Sequence, residues 1–356
     1  MMRIRAAVVA VVLLCTDLAV SAPFYRARGI FRRGEYAPQC HSATITELRN
    51  GDLLAAWWSG TEEGATDAVV KLARLPNGAD VWERAITVAD VPNRFEGNPV
   101  LFTVPDGRVW LFFVVIEPAS PRDVQIMFLE SRDEGRRWTP LTRFVTRPGI
   151  RTRNHPIVLD NGEILFPLHD QVAGGSVFLI SKDQGRTWDP TSVLRPPPSH
   201  VQPTVISRGK GNLYALFRSW SPDPEKRFLL QSESLDFGRT WAPLTLSKVP
   251  TVSSAIEMIR LKNGNVVLGF NNARERLRSP LNLALSTDGA KTWEFDRALE
   301  TEEGEFSYPS LIQTRDEHIH VVYTFRRQTI KHVEVNEDWI RESQGDAGRA
   351  VPRTYQ

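Results

Sequence analysis

Short apolar runs of five to eight residues recur along the chain: LLAAWW from Leu53, VWLFFVV from Val109, EILFPL from Glu163, LYALF from Leu213, NVVLGF from Asn265 and HIHVVYTF from His318. They alternate with polar residues or are continuously apolar, and they are rich in β-branched and aromatic side chains, so they predict strands. No segment sustains a helical period, and almost no helix is expected. A turn signal precedes each run: Asn50-Gly51, Asp106-Gly107, Asn161-Gly162 and Asn263-Gly264, with weaker versions at Lys210-Gly211 and Asp316-Glu317. By composition these are hairpin turns.

A second series runs in phase with the first. The octet S-x-D-x-G-x-x-W occurs as SRDEGRRW at Ser131, SKDQGRTW at Ser181 and SLDFGRTW at Ser234, and a fourth copy, STDGAKTW at Ser286, has Ala290 where the glycine belongs. The spacings of 50, 53 and 52 residues are about what four short strands and their turns occupy in one propeller blade. Trp82 and Trp339 fill the first and last tryptophan positions, which makes six units. The pattern therefore predicts an all-β, six-bladed β-propeller. Pro23 to Arg33 precede the first unit and are expected to supply a strand to the last blade, closing the ring without exposed edges. No linker divides the chain, since Arg195-Pro-Pro-Pro198 reads as a loop between blades three and four.

The ends and the composition narrow the setting. Met1-Met-Arg-Ile-Arg5, an apolar run from Ala6 to Cys15 and small residues ending Ala19-Val20-Ser21-Ala22 follow the order of a secretory signal. Residues 1–21 are assigned to that signal, 22–340 to the propeller and 341–356 to a polar tail. The signal is too short to anchor the chain, so a secreted or periplasmic protein with no membrane insertion after processing is expected. Leu14 stands where a lipoprotein signal before Cys15 would need a small residue. Removing the signal leaves Cys40 alone, so stability must come from packing rather than from a disulfide within the chain. A net charge of +2 with 24% charged residues offers no field for nucleic acid. No H-x-x-x-H or Cys/His cluster points to a metal, no cofactor is implied, and a monomer is expected.

The four octets resemble the Asp-boxes of the sialidase (neuraminidase) superfamily and related BNR-repeat propellers. That motif speaks for architecture, since the Asp bonds turn amides, the Gly turns left-handed and the Trp packs between sheets. What the resemblance implies for function is carried by other residues. In sialidases three arginines clamp the substrate carboxylate, a tyrosine activated by a glutamate is the nucleophile, and an aspartate is the acid and base. EFSYPSLIQ resembles the tyrosine strand and puts Tyr308 at the nucleophile. ALFRS resembles the strand of the second clamp arginine, Arg218. RLRSPLNLALS resembles the third, on Arg278, with Arg274 its nearest competitor.

The departures are as informative. Where the first arginine would stand the chain has Gln39-Cys40-His41-Ser42, and the glutamate that would steady it is Thr324. The tyrosine's glutamate partner corresponds to Gln202, and an amide cannot take a phenolic proton. Glu257 and Glu305 are the carboxylates that could substitute. SGTEEGATDAVV offers Glu62, Glu63 and Asp67 as the acid/base, of which Asp67 is selected. His41 and His155 open inner strands of blades one and three and are expected to face the central pocket, His41 as an acid or base and His155, like Gln202, as a substrate contact. Cys40, adjacent to His41, points to the opposite face.

Three readings follow. The first is an exo-glycosidase of exo-α-sialidase type, hydrolysing a terminal acidic sugar. The second is a propeller-fold polysaccharide lyase or rhamnosidase-type hydrolase using His41 and Tyr308. The third is a non-catalytic glycan-binding propeller, which Trp57, Trp58 and Trp220 could serve by stacking on sugar rings. A glycan is the partner in all three.

Overall fold

In this computed structural model, residues 22–342 are described, apart from 118–119, 146–148, 173 and 276. The assigned signal and all but the first two residues of the assigned tail lie outside that range. The strands form six antiparallel sheets arranged as propeller blades. Blade 1 is β2 (Gln39–Glu47), β3 (Leu53–Gly60), β4 (Val69–Leu75) and β5 (Ile86–Ala89). Blade 2 is β6 (Phe95–Thr103), β7 (Val109–Glu117), β8 (Ser120–Ser131) and β9 (Thr142–Val145). Blade 3 has its inner strand in two pieces, β10 (Ile150–Arg151) and β11 (Ile157–Val158), both on β12 (Ile164–Asp170), followed by β13 (Gly175–Ser181) and β14 (Asp189–Leu194). Blade 4 is β15 (His200–Gly209), β16 (Asn212–Ser219), β17 (Phe228–Ser234) and β18 (Thr245–Pro250). Blade 5 is β19 (Glu257–Arg260), β20 (Val266–Asn271), β21 (Leu281–Ser286) and β22 (Phe295–Glu300). Blade 6 is β23 (Phe306–Gln313), β24 (Ile319–Phe325) and β25 (Thr329–Val335), and its outer strand is β1 (Tyr25–Gly29) from the other end of the chain.

That last pairing closes the ring. It runs antiparallel from Tyr25 opposite Val335 to Gly29 opposite Lys331, so β25 is covered by a strand from the other end of the chain and blade 6 has four strands like its neighbours. The chain then turns into one short helix, α1 (Glu337–Arg341), which buries Trp339. Arg341, placed with the tail by sequence, belongs to this helix and pairs with Glu337. Among the described residues no helix is long and apolar enough to cross a membrane.

The core lies between blades, and the tryptophan series fills it. Trp138 packs between blades 1 and 2, Trp188 between 2 and 3, Trp241 between 3 and 4 and Trp293 between 4 and 5. Trp339 packs between 5 and 6, and Trp82 between 6 and 1. Trp57 and Trp58 are fully buried and unavailable to a ligand, whereas Trp220 is 48% exposed.

The octets form one repeated turn. Ser181 donates its hydroxyl to Asp183 at 2.9 Å and accepts the Gly185 N–H at 2.6 Å, while Asp183 accepts the Thr187 N–H at 2.8 Å. The same bonds recur from Ser131, Ser234 and Ser286. Ala290 takes the left-handed place of the glycine at φ +68°.

Candidate active site

Five inner strands carry a left-handed residue near their start: Ser42 in blade 1, Asn98 in blade 2, Gln202 in blade 4, Ser253 just before β19 in blade 5, and Tyr308 in blade 6, with φ between +44° and +60°. In four of these blades the pairing register slips at this point. Such bulges bend a strand and re-aim a side chain, and the strain of a left-handed Tyr or Gln is the kind found at functional sites. The Ser42 hydroxyl donates to Asn98 at 2.8 Å. Arg218, at the end of β16, donates to Gln202 at 3.0 Å, to Ser253 at 3.3 Å and to the Tyr308 hydroxyl at 2.9 Å. Left-handed residues of blades 4, 5 and 6 thus meet on one guanidinium.

Blade 3 departs from this pattern, and its broken inner strand plugs the channel. Arg153 donates to the carbonyls of Ala43 and Pro309, and Asn154 to those of Gln202 and Pro203. His155 Nδ1 pairs with Glu257 at 2.9 Å, and its Nε2 lies 3.1 Å from the Thr44 hydroxyl. His155 therefore stands level with Thr44, three residues further along the channel than His41, and it lines a cavity of 730 Å³ that opens at the other end of the inner strands. The structure places it away from Tyr308, with both ring nitrogens engaged. Glu257 also accepts the N–H groups of His155 and Leu311, and it is held ionised because His155 and Arg153 outweigh its burial.

Around the phenol the charges are mostly cationic. The guanidinium carbons of Arg153, Arg278 and Arg218 lie 5.0, 5.4 and 6.0 Å from the centre of the Tyr308 ring. Burial pushes the phenol up, but Arg218 and then Arg278 overcome it, so Tyr308 sits below the usual phenol value. Arg278 pairs with Glu305 at 2.5 Å, and Arg327 joins Glu305 at 3.0 Å and Glu63 at 2.8 Å. Glu305 is kept ionised despite burial by Arg278 and Arg327. Arg274 is drawn off to Glu225, which leaves Arg278 as the blade-5 cation over the phenol.

His41 is 2% exposed, and its ring packs 4.1 Å from that of Tyr308. Its Nδ1 is 2.7 Å from the Thr324 hydroxyl and 4.0 Å from Glu305. Where the sialidase pattern has arginine and glutamate, this chain has a bonded histidine and threonine. Burial first, then Arg327, Arg278, Arg153 and Arg218, hold His41 neutral. Cys40 lies in the core between blades 6 and 1, and burial pushes its thiol up to about 12, so it is no nucleophile.

Of the loop carboxylates, Asp67 is turned onto Thr61, whose N–H it accepts at 3.1 Å and whose hydroxyl it also binds, and this hydrogen bonding lowers it. Glu63 is the carboxylate whose charge reaches both Tyr308 and Arg151. Sequence reasoning missed Arg151 and Arg153. Their signal is the pair Arg-x-Arg at strand spacing just before Asn154, opposite the inner-strand segment that holds His41. Among the described residues no group of three or more His, Cys, Asp or Glu could hold a metal ion.

A six-bladed propeller of this blade order has the sialidase fold. The model of the BNR repeat-like domain matches residues 51–321, and the chain belongs to that family. Among solved structures, the Hadza microbial sialidase Hz136 is similar at 16% identity and TM-score 0.73, over 88% of this chain and 69% of its own. The intramolecular trans-sialidase from Ruminococcus gnavus, solved with oseltamivir carboxylate, is similar at 13% identity and TM-score 0.73, over 88% and 98%. A protein of unknown function from Dyadobacter fermentans is similar at 17% identity and TM-score 0.73, over 88% and 99%. At these identities the likeness is one of fold. No curated protein matches the chain.

Proposed function

We propose that this protein is a carbohydrate-active enzyme of sialidase type, a glycoside hydrolase that removes a terminal acidic sugar from a glycan outside the cytoplasm. The observation that carries this reading is the meeting of Arg218, Arg278 and Tyr308, from three blades, at one point. Two guanidinium groups suit a sugar carboxylate, which each can bind through paired N–H donors. Tyr308 then stands as the nucleophile. Its oxygen, ionised, bonds to the anomeric carbon while the glycosidic C–O bond breaks, and the departing oxygen takes a proton from Glu63, which first exchanges its ion pair with Arg327 for a proton from water. Water completes the cycle, returning a proton to Glu63 and freeing the Tyr308 oxygen. Glu63 is preferred to Asp67 in this role because Asp67 is occupied by Thr61.

One observation favours a second reading: the hydroxyl of Tyr308 is bonded to an arginine, and among the described residues no carboxylate is hydrogen-bonded to it. The same groups could neutralise a uronate carboxylate and draw off the adjacent C–H proton, breaking the chain by elimination. Mass spectrometry of the products formed from sialylated and uronate-containing glycans in isotopically labelled water separates the two. Label in a released acidic sugar is the expected result. A dehydrated, unlabelled uronate overturns hydrolysis in favour of elimination, and binding without release overturns both in favour of a lectin.

A further inference from the structure

Arg153 is 2% exposed, lies under the Tyr308 ring, and takes no part in the chemistry set out above. Its guanidinium is fixed from two sides, by Ala43 O at 3.3 Å and by Pro309 O at 2.9 Å, the second being the carbonyl next to Tyr308 itself. Its Nε is buried without a hydrogen-bond partner. Glu257, the carboxylate acting on it, spends its oxygens on His155 and the Leu311 N–H. Two carbonyls solvate a guanidinium, but they do not cancel its charge, and a buried cation without a paired anion is expensive. A negative charge on the ring above would offset that cost.

We propose that Arg153 is a positioning residue that, from beneath the ring and beside Arg218 and Arg278, helps hold Tyr308 as a phenolate in the resting protein, so that the phenol needs no carboxylate base. Its proton passes to bulk water before the glycan arrives. Every element packed on the ring bears on this balance. Arg218 from β16 faces the oxygen, Arg278 from the loop after β20 flanks the ring, and Arg151 adds a fourth cation from blade 3. Against them stand Glu63 and Glu305, both tied to Arg327, and Glu305 to Arg278 as well. His41 contributes no charge, since it is neutral. The sum at the phenol is positive, which is why an amide at Gln202 suffices where a base would otherwise be required: it accepts from Arg218 and holds that cation on the oxygen.

The inference rests on Tyr308 being the reacting group, but its test needs no substrate. Ultraviolet difference absorbance of phenolate, recorded against pH for the full chain and for Tyr308→Phe, isolates one tyrosine. Tyr25, Tyr214 and Tyr323 are all pushed upward by burial and ionise later. The expected result is an early phenolate signal that is present in the full chain and absent in Tyr308→Phe. Its midpoint should rise by about one pH unit or more, a tenfold or greater loss of phenolate, in Arg153→Met and Arg153→Gln, and recover in Arg153→Lys. The acid limb of kcat/KM should move with it, which a merely structural arginine would not cause. Absence of an early-titrating tyrosine in the unaltered protein overturns the proposal even if the variants fail to fold. An unmoved midpoint in a folded neutral variant overturns it too. Inactivity on every acidic glycan, with the early titration intact, would instead sink the glycosidase reading alone.

Discussion

The outer turns and the inner bulges are both repeated around the ring, but in different ways. Four turns repeat the same residues, Ser, Asp and Trp, with the same hydrogen bonds. Five left-handed positions, four of them at bulges, repeat a backbone shape while the residue at the bend changes from Ser to Asn, Gln, Ser and Tyr. Repetition of residues marks what every blade needs in order to pack. Repetition of shape with changing residues marks where each blade presents something of its own, and the proposed site gathers there. Activity and stability should therefore separate cleanly between the two.

The sharpest break is at Tyr308. Tyr308→Phe keeps the ring and its packing and removes only the oxygen, so kcat should fall by at least about 10³-fold, about 4 kcal/mol, with thermal unfolding little changed. Glycan binding measured by calorimetry should survive. Gly185→Ala is the converse. Gly185 has φ +87°, and an added Cβ would overlap the Trp110 ring. Left-handed strain together with overpacking should cost about 2 to 4 kcal/mol of stability, read from denaturant unfolding, with turnover per folded molecule unchanged.

This division explains what could be read in the sequence. The blades were legible because the octet and the N-G turns are periodic, and periodicity survives in every copy: even Ala290, with the wrong residue, forms the right bonds. The closing strand was legible as a leftover segment before the first unit. Tyr308, Arg218 and Arg278 were found through resemblance, and the structure brings them together. His155 was aligned with His41 by its place near a blade opening, but the inner strand of blade 3 is broken, so residues 152–156 cross the channel and carry it to Glu257. Arg153 was invisible because its role depends on that break, which no local pattern announces. The bulges themselves left a weak trace, the pairs Asn98-Pro99, Gln202-Pro203 and Tyr308-Pro309, each a bend followed by a residue that cannot continue the ladder.

The loop between β3 and β4 tests the site from its rim. General acid–base residues contribute about 10²- to 10⁴-fold, so Glu63→Gln should lower kcat by about 10² or more, and a substrate with a good leaving group should recover much of the loss. Asp67→Asn should leave kcat within about twofold, because its carboxylate serves Thr61. The opposite ranking would return the acid role to Asp67.

Histidine sharpens the comparison, because neutral imidazoles are buried in both regions. His332 accepts the Trp82 N–H on Nδ1 at 3.3 Å, so its own proton lies on Nε2, 2.9 Å from His320 Nδ1. A further proton on His332 would confront Trp82, and one on His320 Nδ1 would confront His332. Burial depresses both, His320 to about 4, and it depresses His169 at the site end to about 3. A depressed value means the folded state prefers the neutral form. Their contribution is whole above about pH 6.5 and declines as pH falls from there toward each folded value, by up to about 1.4 kcal/mol per pH unit for each histidine. Thermal unfolding followed from pH 7 to pH 5 should show this acid lability, and His320→Gln should reduce the slope. An unchanged slope would remove His320 from the account.

The smallest effect should come from the tryptophan outside the packing series. Trp82, Trp138, Trp188, Trp241, Trp293 and Trp339 all belong to contacts between blades, whereas Trp220 is half exposed, two residues beyond Arg218 at the mouth of the site. An aromatic face there can stack on the sugar next to the one held by the arginines, worth about 1 kcal/mol. Trp220→Ala should therefore raise KM by about fivefold for an oligosaccharide and leave kcat, and the KM of a substrate with a small leaving group, nearly unchanged. Equal losses on both substrates would mean that Trp220 shapes the terminal-sugar pocket itself, and that the site reads one residue of the glycan and no more.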